Sequence, residues 1–191
     1  MRRKDREMNR EFGLKVIDKA NHGILSMVDK EGDPYGIPLS IVRNENTLYF
    51  HSAMDGKKVK IFKDNPYVSV VFVGQTRIPE NYTKEELNEM TKDELKAVLF
   101  ISSVFTTEFE SAIVKGNVKL VDDENEKIKA MKLICEKYTP TKIEYFPIAI
   151  KTGLGRTNVY SIEIEEITAK RKKYDEDGKE MKWGRMDSNK E

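Results

Sequence analysis

Tyr35-Gly36-Ile37-Pro38-Leu39-Ser40-Ile41-Val42, a polar turn over residues 43–46, and Thr47-Leu48-Tyr49-Phe50-His51-Ser52-Ala53 lead into Asp55-Gly56-Lys57-Lys58 and a stretch ending at Asn65-Pro66. The order is strand, hairpin, strand, loop, helix. Ile37, Leu39 and Ile41 alternate with Gly36, Pro38, Ser40 and Val42, and Leu48 and Phe50 alternate with Tyr49 and His51. Such period-two alternation, rich in β-branched and aromatic residues, marks strands. Pro38 has no N–H for a ladder, so it belongs at an edge or an irregular position, with free backbone beside it.

Asp55 is placed to cap a helix starting at Gly56 or Lys57, and Val59 and Phe62 lie three apart on one side of it. Lys57 and Lys58 then occupy the first turn, where cations oppose the helix dipole at about 0.3–1 kcal/mol each. Unpaired first-turn N–H groups with two ammonium groups suit a phosphate. On spacing alone a second reading stands beside this one: two solvated lysines eased by Asp55.

The string His51-x-Ala53-x-x-Gly56-x-Lys58 after an aromatic strand, followed by Asn65-Pro66-Tyr67-Val68-Ser69, resembles the pyridoxamine-phosphate-oxidase-like flavin proteins, and most of all their nitroimidazole-resistance (Nim-type) branch. The opening Arg2-Arg3-Lys4-Asp5-Arg6-Glu7 is similar to that branch. So are Phe105-Thr106-Thr107, Ser111-Ala112-Ile113-Val114-Lys115-Gly116 and Ile167-Thr168-Ala169-Lys170-Arg171. The matches keep their order over residues 1–171. The resemblance implies an α+β chain, mainly β: a six-stranded antiparallel split β-barrel of the FMN-binding type with flanking helices.

With 191 residues, 38% of them apolar and 35% charged, the chain has material for one core. The expected organisation is a single domain over residues 1–170, with a helical insertion near 75–98, and a charged tail over 171–191. A net charge of +1 gives no global field toward nucleic acid or anionic membrane. The first residues are polar and basic rather than a secretory signal, and no apolar run nears the roughly 20 residues of a membrane span. One cysteine, Cys135, excludes an intrachain disulfide. The expected location is the cytoplasm, without nucleic-acid or membrane partners.

Residues 1–20 read as a helix with Phe12, Val16, Ile17 and Ala20 inward, ended by Asn21-His22-Gly23, where His22 has a capping or surface role. Residues 24–28 form a strand and 29–34 a turn. Residues 67–73, apolar on both faces, read as a fully covered strand. Thr83-Lys84-Glu85-Glu86 and Thr91-Lys92-Asp93-Glu94 each have capping-box form, so the insertion reads as two short helices. Residues 100–107 and 111–121 return to strand around a bend at 108–110. In the second, Ala112, Val114, Gly116, Val118 and Leu120 share one face. Asp122 or Asp123 caps a helix to Tyr138 with Ile128, Met131, Ile134, Cys135 and Tyr138 inward. A weak apolar segment at 146–151 precedes a last strand over 158–167. The tail carries a turn at Asp177-Gly178, and Trp183 is its large apolar anchor.

Two histidines and one cysteine cannot make a usual structural zinc site. Gly153-Leu154-Gly155 lacks the third glycine of a dinucleotide fingerprint, and residues 170–173 read as solvated charges. The resemblance assigns the rest. Lys58 with Lys57 would hold the FMN phosphate. His51, Ser52 and Ala53 would line the ribityl chain or the ring, and Pro38, Leu39 and Ser40 would meet the ring. Glu110 and Ser111 would contribute polar contacts from the second subunit of a homodimer. They replace the Arg-Gln of true pyridoxamine-phosphate oxidases, which weighs against that substrate. The implied activity is electron transfer from a nicotinamide or other donor through FMN to a small acceptor such as a nitro-aromatic, with no catalytic side chain assigned. A flavin store or sensor, a haem-binding relative with His51 or His22 as axial ligand, and a cofactor-free structural dimer are the rivals.

Overall fold

The computed structural model describes residues 2–92 and 104–182. It is a mixed α+β fold in which all named strand pairs are antiparallel. After a single 3-10 turn, β1 (Glu7–Met8) leads through Asn9, whose side chain accepts from Phe12 N–H, into α1 (Arg10–Lys19). The helix expected over 1–20 is thus shorter: its start is fixed by an asparagine cap, and β1 pairs instead with the last strand. Phe12, Val16, Ile17 and Ala20 are buried as expected. Gly23 is not the cap. It begins β2 (Gly23–Val28), and a Cβ there would lie 2.8 Å from both Ile41 and Phe72.

Residues 35–42 divide into β3 (Pro34–Leu39) and β4 (Val42–Asn44). β3 pairs with β2, whereas β4 makes the hairpin with β5 (Thr47–Ala53). A side-chain alternation continues undisturbed through such a change of partner, which is why the split is invisible in the pattern. Pro38 does lie on an edge strand. Next come α2 (Lys57–Asp64), β6 (Tyr67–Arg77), α3 (Lys84–Met90), β7 (Glu108–Leu120), α4 (Glu124–Tyr138), α5 (Phe146–Gly153), β8 (Thr157–Glu163) and β9 (Glu166–Lys172).

Strand order is β3-β2-β6-β7-β8-β5-β4, with β9 also on β7 and β1 on β9. Among the described residues this makes nine strands instead of six, because both 35–42 and 158–167 change partners midway and β1 is added. Among the described residues the path is open between β3 and β4. β7 makes the corner: its first part pairs with β9 and its last residues with β8. Gly116 sits at that corner, where a Cβ would come within 2.1 Å of the Glu163 carbonyl oxygen. Phe50, Phe72, Leu25, Leu48, Ile17 and Ile162 fill the space between the two parts of the sheet. Among the described residues no helix is long and apolar enough to cross a membrane.

β6 buries Val68, Val70 and Phe72, but Tyr67 and Val73 are exposed, so the strand is covered on one face in this chain. Residues 108–110 are strand rather than bend, and 104–107 are not strand. Leu120 is exposed, while the other residues read as one face of β7 are buried. The first capping box is present, with Thr83 and Glu86 exchanging hydrogen bonds. The second expected helix, the strand start at 100–103 and Trp183 lie outside the described residues. Asp123 caps α4. The stretch read as weakly apolar is helix α5. After β9, Tyr174 bridges Glu180 around a turn in which Gly178 has φ +72°.

Candidate functional site

The end of β3 and the middle of β5 meet at a surface cleft of about 490 Å³ lined by His22, Pro38, Leu39, Ser40 and His51. Four of these residues were expected together. His22 was not, and no sequence signal places it there: it arrives because α1 ends beside the β3–β4 link. Its ring lies 6.0 Å from that of Tyr138.

The link itself is clamped. Tyr138 Oη accepts from Ile41 N–H at 2.9 Å and donates to the Ile41 carbonyl at 2.8 Å. Lys137 Nζ donates to the same carbonyl and to that of Ile17, each at 3.2 Å. Ile41 is fully buried, so α4 satisfies backbone groups that no strand partner takes up. The burial that makes this clamp holds the Lys137 ammonium below its ordinary pKa and raises that of the Tyr138 phenol.

On β5, Ser52 is buried and donates to the Ala53 carbonyl at 2.7 Å, while His51 and Ala53 point outward. Ser52 can therefore meet a ligand through its backbone more readily than through its hydroxyl. His51 is open to solvent on one side, yet its imidazole pKa lies below the ordinary value. Desolvation by the atoms around the ring is the larger cause and the Lys58 charge the smaller. Behind this strand Phe50 stacks on Tyr160 at 5.3 Å, and Phe62 of α2 meets Tyr160 edge-on at 5.1 Å, which fixes α2 against the strand.

α2 begins without the expected Asp55 cap. Gly56 is the N-cap, at φ +134° and ψ 174°, and no side chain caps the helix. This backbone region is essentially open to glycine alone. The first turn contains no acid. By helix geometry the N–H groups of Lys57, Lys58 and Val59 have no acceptor within the helix. The two lysines diverge. Lys57 Nζ lies 3.9 Å from Asp29 Oδ2 and 4.9 Å from the Tyr35 ring centre, whereas Lys58 acts on His51.

Glu110 and Ser111 lie apart from this cleft within the chain. Glu110 lines a cleft at the start of β7, and Ser111 another with Ile113, Lys115 and Lys170. Among the described residues no group of three His, Cys, Asp or Glu could hold a metal.

The model of the pyridoxamine 5'-phosphate oxidase family matches residues 14–171. The chain belongs to that family. The resemblance read from residues 51–69 and their companions is borne out at this level. No curated protein sequence matches the chain. Several solved structures share its fold. A protein described as a "putative 5-nitroimidazole antibiotic resistance protein" from Bacteroides thetaiotaomicron is 21% identical, with 86% of each chain covered and a TM-score of 0.65. An FAD-binding protein from Mesorhizobium loti is 20% identical, over 87% of this chain and 96% of that one, at 0.56. An FAD and heme binding protein from Mycobacterium smegmatis is 13% identical, over 87% and 73%, at 0.64. At these identities the likeness is one of fold.

Proposed function

We propose that this chain is an FMN-binding oxidoreductase of the Nim-like kind, built on the family's split barrel and working as a cytoplasmic homodimer. It takes electrons from a nicotinamide donor and passes them to a small acceptor such as a nitro-aromatic. The observation that carries this is the start of α2: an uncapped, acid-free first turn bearing Lys57 and Lys58, next to an open cleft formed by Pro38–Ser40 and His51. The donor set fits a flavin mononucleotide. Amides and an ammonium suit the phosphate, while the exposed edge of β3 and an imidazole suit a flat, polar-edged ring.

FMN would supply the electron-transfer chemistry; the side chains bind, orient and shield. Lys58 neutralises phosphate charge, while desolvation, and to a smaller degree the Lys58 charge, lower the pKa of His51. In its neutral form His51 offers one N–H and one acceptor nitrogen. The clamp on Ile41 holds Pro38, Leu39 and Ser40 at a fixed distance from β5. Family neighbours known as FAD-binding support a flavin, and the single phosphate-holding turn favours FMN here.

Supporting the dimer, the outer face of the sheet carries Ile24, Val73 and Ile113, which are 43%, 50% and 39% exposed. Ile24, Val71 and Ile113 are direct cross-strand neighbours there, an apolar row that a second copy would cover.

The test is the absorption spectrum of the purified protein and its titration with FMN. A yellow protein is expected. Replacing Lys57 and Lys58 together by Ala should abolish uptake. A colourless protein that takes up no FMN would defeat the proposal, and absence of turnover with NADH and a nitro acceptor would reduce it to a flavin store or sensor. One observation favours a second reading: both candidate axial ligands of a haem, His22 and His51, line the same cleft. A Soret band would select it.

A further inference from the structure

His22 brings an uncommitted imidazole to the cleft it shares with Pro38, Leu39, Ser40 and His51. It stands between the end of α1 and Gly23, the first residue of β2, and is exposed to solvent. Its ring lies 6.0 Å from that of Tyr138, which the two hydroxyl bonds to Ile41 hold in place. Among the described residues no hydrogen bond takes up either ring nitrogen of His22. The other groups about the cleft that carry a transferable proton are committed or ill-suited. Lys137 Nζ donates to the Ile17 and Ile41 carbonyls, and the Tyr138 hydroxyl donates to that of Ile41. Asp18 of α1 and Arg43 of β4 hold each other at 2.5 Å. A general acid works best with a pKa near the working pH, which excludes the Ser40 hydroxyl. Desolvation and the Lys58 charge both work against a protonated His51.

Reduction of a nitro-aromatic to its nitroso product consumes two electrons and two protons; one N–O bond breaks and water leaves. The reduced flavin supplies both electrons and one of the protons, so the second proton needs a donor at the cleft. We infer that His22, as imidazolium, hydrogen-bonds an oxygen of the acceptor and gives it that proton. The neutral ring then takes another from the solvent that reaches its exposed side. This rests on the flavin-dependent activity proposed for the cleft. To that activity it adds a catalytic residue and a substrate class: acceptors that must gain protons as they are reduced.

The test is anaerobic stopped-flow reoxidation of the dithionite-reduced FMN protein, as the full chain and as His22→Gln, by two acceptors. 4-Nitrobenzyl alcohol must gain protons, whereas ferricyanide takes an electron and no proton. With FMN saturating, the ratio of the nitro rate to the ferricyanide rate should fall about 10²-fold in His22→Gln and recover in part with added imidazole. A second readout needs no turnover: titrating the oxidised FMN protein with 4-nitrobenzyl alcohol should shift the His22 ring signal in the NMR spectrum saturably. A ratio lowered less than about tenfold, no recovery with imidazole, or an unmoved His22 signal would overturn the assignment and leave flavin binding in place. So would a bound, reduced flavin that the nitro compound does not reoxidise. A parent protein that takes up no FMN would overturn the flavin reading and this assignment with it.

Discussion

Tyr138→Phe isolates the clamp on Ile41. Phenylalanine keeps the ring beside His22 and removes one oxygen. That oxygen makes two bonds, from Ile41 N–H at 2.9 Å and to the Ile41 carbonyl at 2.8 Å. The carbonyl keeps Lys137 Nζ at 3.2 Å. The N–H does not gain a partner, and Ile41 is fully buried. A buried donor left unpaired costs about 1–3 kcal/mol. For a chain of this size each kcal/mol lowers the melting temperature by about 2–4 °C, so the expected fall is roughly 2–12 °C. The loss should be felt locally as well: the Ile41 amide should exchange with solvent faster, and FMN should bind more weakly, because Pro38–Ser40 precede the released link. Thermal melts with amide exchange read by NMR check this. An unchanged Ile41 exchange rate together with a melting point moved by less than about 1 °C would refute the reasoning.

His51 should titrate below the ordinary histidine value of about 6.5, by NMR, and Lys58→Ala should raise the midpoint in part, since desolvation is the larger cause. Because the folded-state pKa is depressed, the unfolded chain binds more protons below about pH 6.5, so stability should fall as pH drops through that value and level off below the folded pKa. Urea midpoints for the protein and His51→Gln across pH 5–7 would show the difference, and identical pH slopes would count against it. Gly116→Ala should destabilise by about 1–3 kcal/mol or more, because its Cβ would meet the Glu163 carbonyl oxygen at 2.1 Å, and a denaturation midpoint equal to that of the parent would contradict the close approach. Ile113→Lys should give a monomer by sedimentation and lose FMN uptake while its own melting changes little, as the residue is already 39% exposed; an intact dimer would remove the sheet face from the interface.

Local chemistry was legible wherever one residue's own bonding set the structure. Asp123 and Thr83 cap the helices their spacing predicts, and the alternation from Ala112 to Val118 buries the face it names. What the residues could not show is where a strand changes partners. Ile41 and Ile164 lie in the links after β3 and β8, and both are buried. The apolar pattern therefore runs unbroken through two breaks in hydrogen bonding. Gly23, read as the helix cap, and Gly56, read as a first helical residue after an Asp55 cap, both took other roles for a similar reason. Sequence shows that a glycine is present, while its neighbours in space decide whether missing side-chain volume or positive φ is needed. In the site, the strand positions were readable, but His22 and the Tyr138 clamp come from elements distant in sequence.

The distance between the His51 cleft and Ser111 is itself informative under the proposed dimer. Pro38, Ile24, Val71, Ile113 and Thr168 are successive cross-strand partners, so they form one row across the outer face of the sheet. One end of the row is Pro38, beside the His51 cleft; the other lies on β9, next to Ser111 and Lys170. A two-fold interface places the same patch on both copies in opposite directions. Two copies stacked through the apolar middle of this row bring the Pro38 end of one against the β9 end of the other. On that proposal the outward apolar residues of β6 and the separation of Ser111 from His51 have one cause: each chain would carry two complementary halves of a site on opposite margins of a shared face.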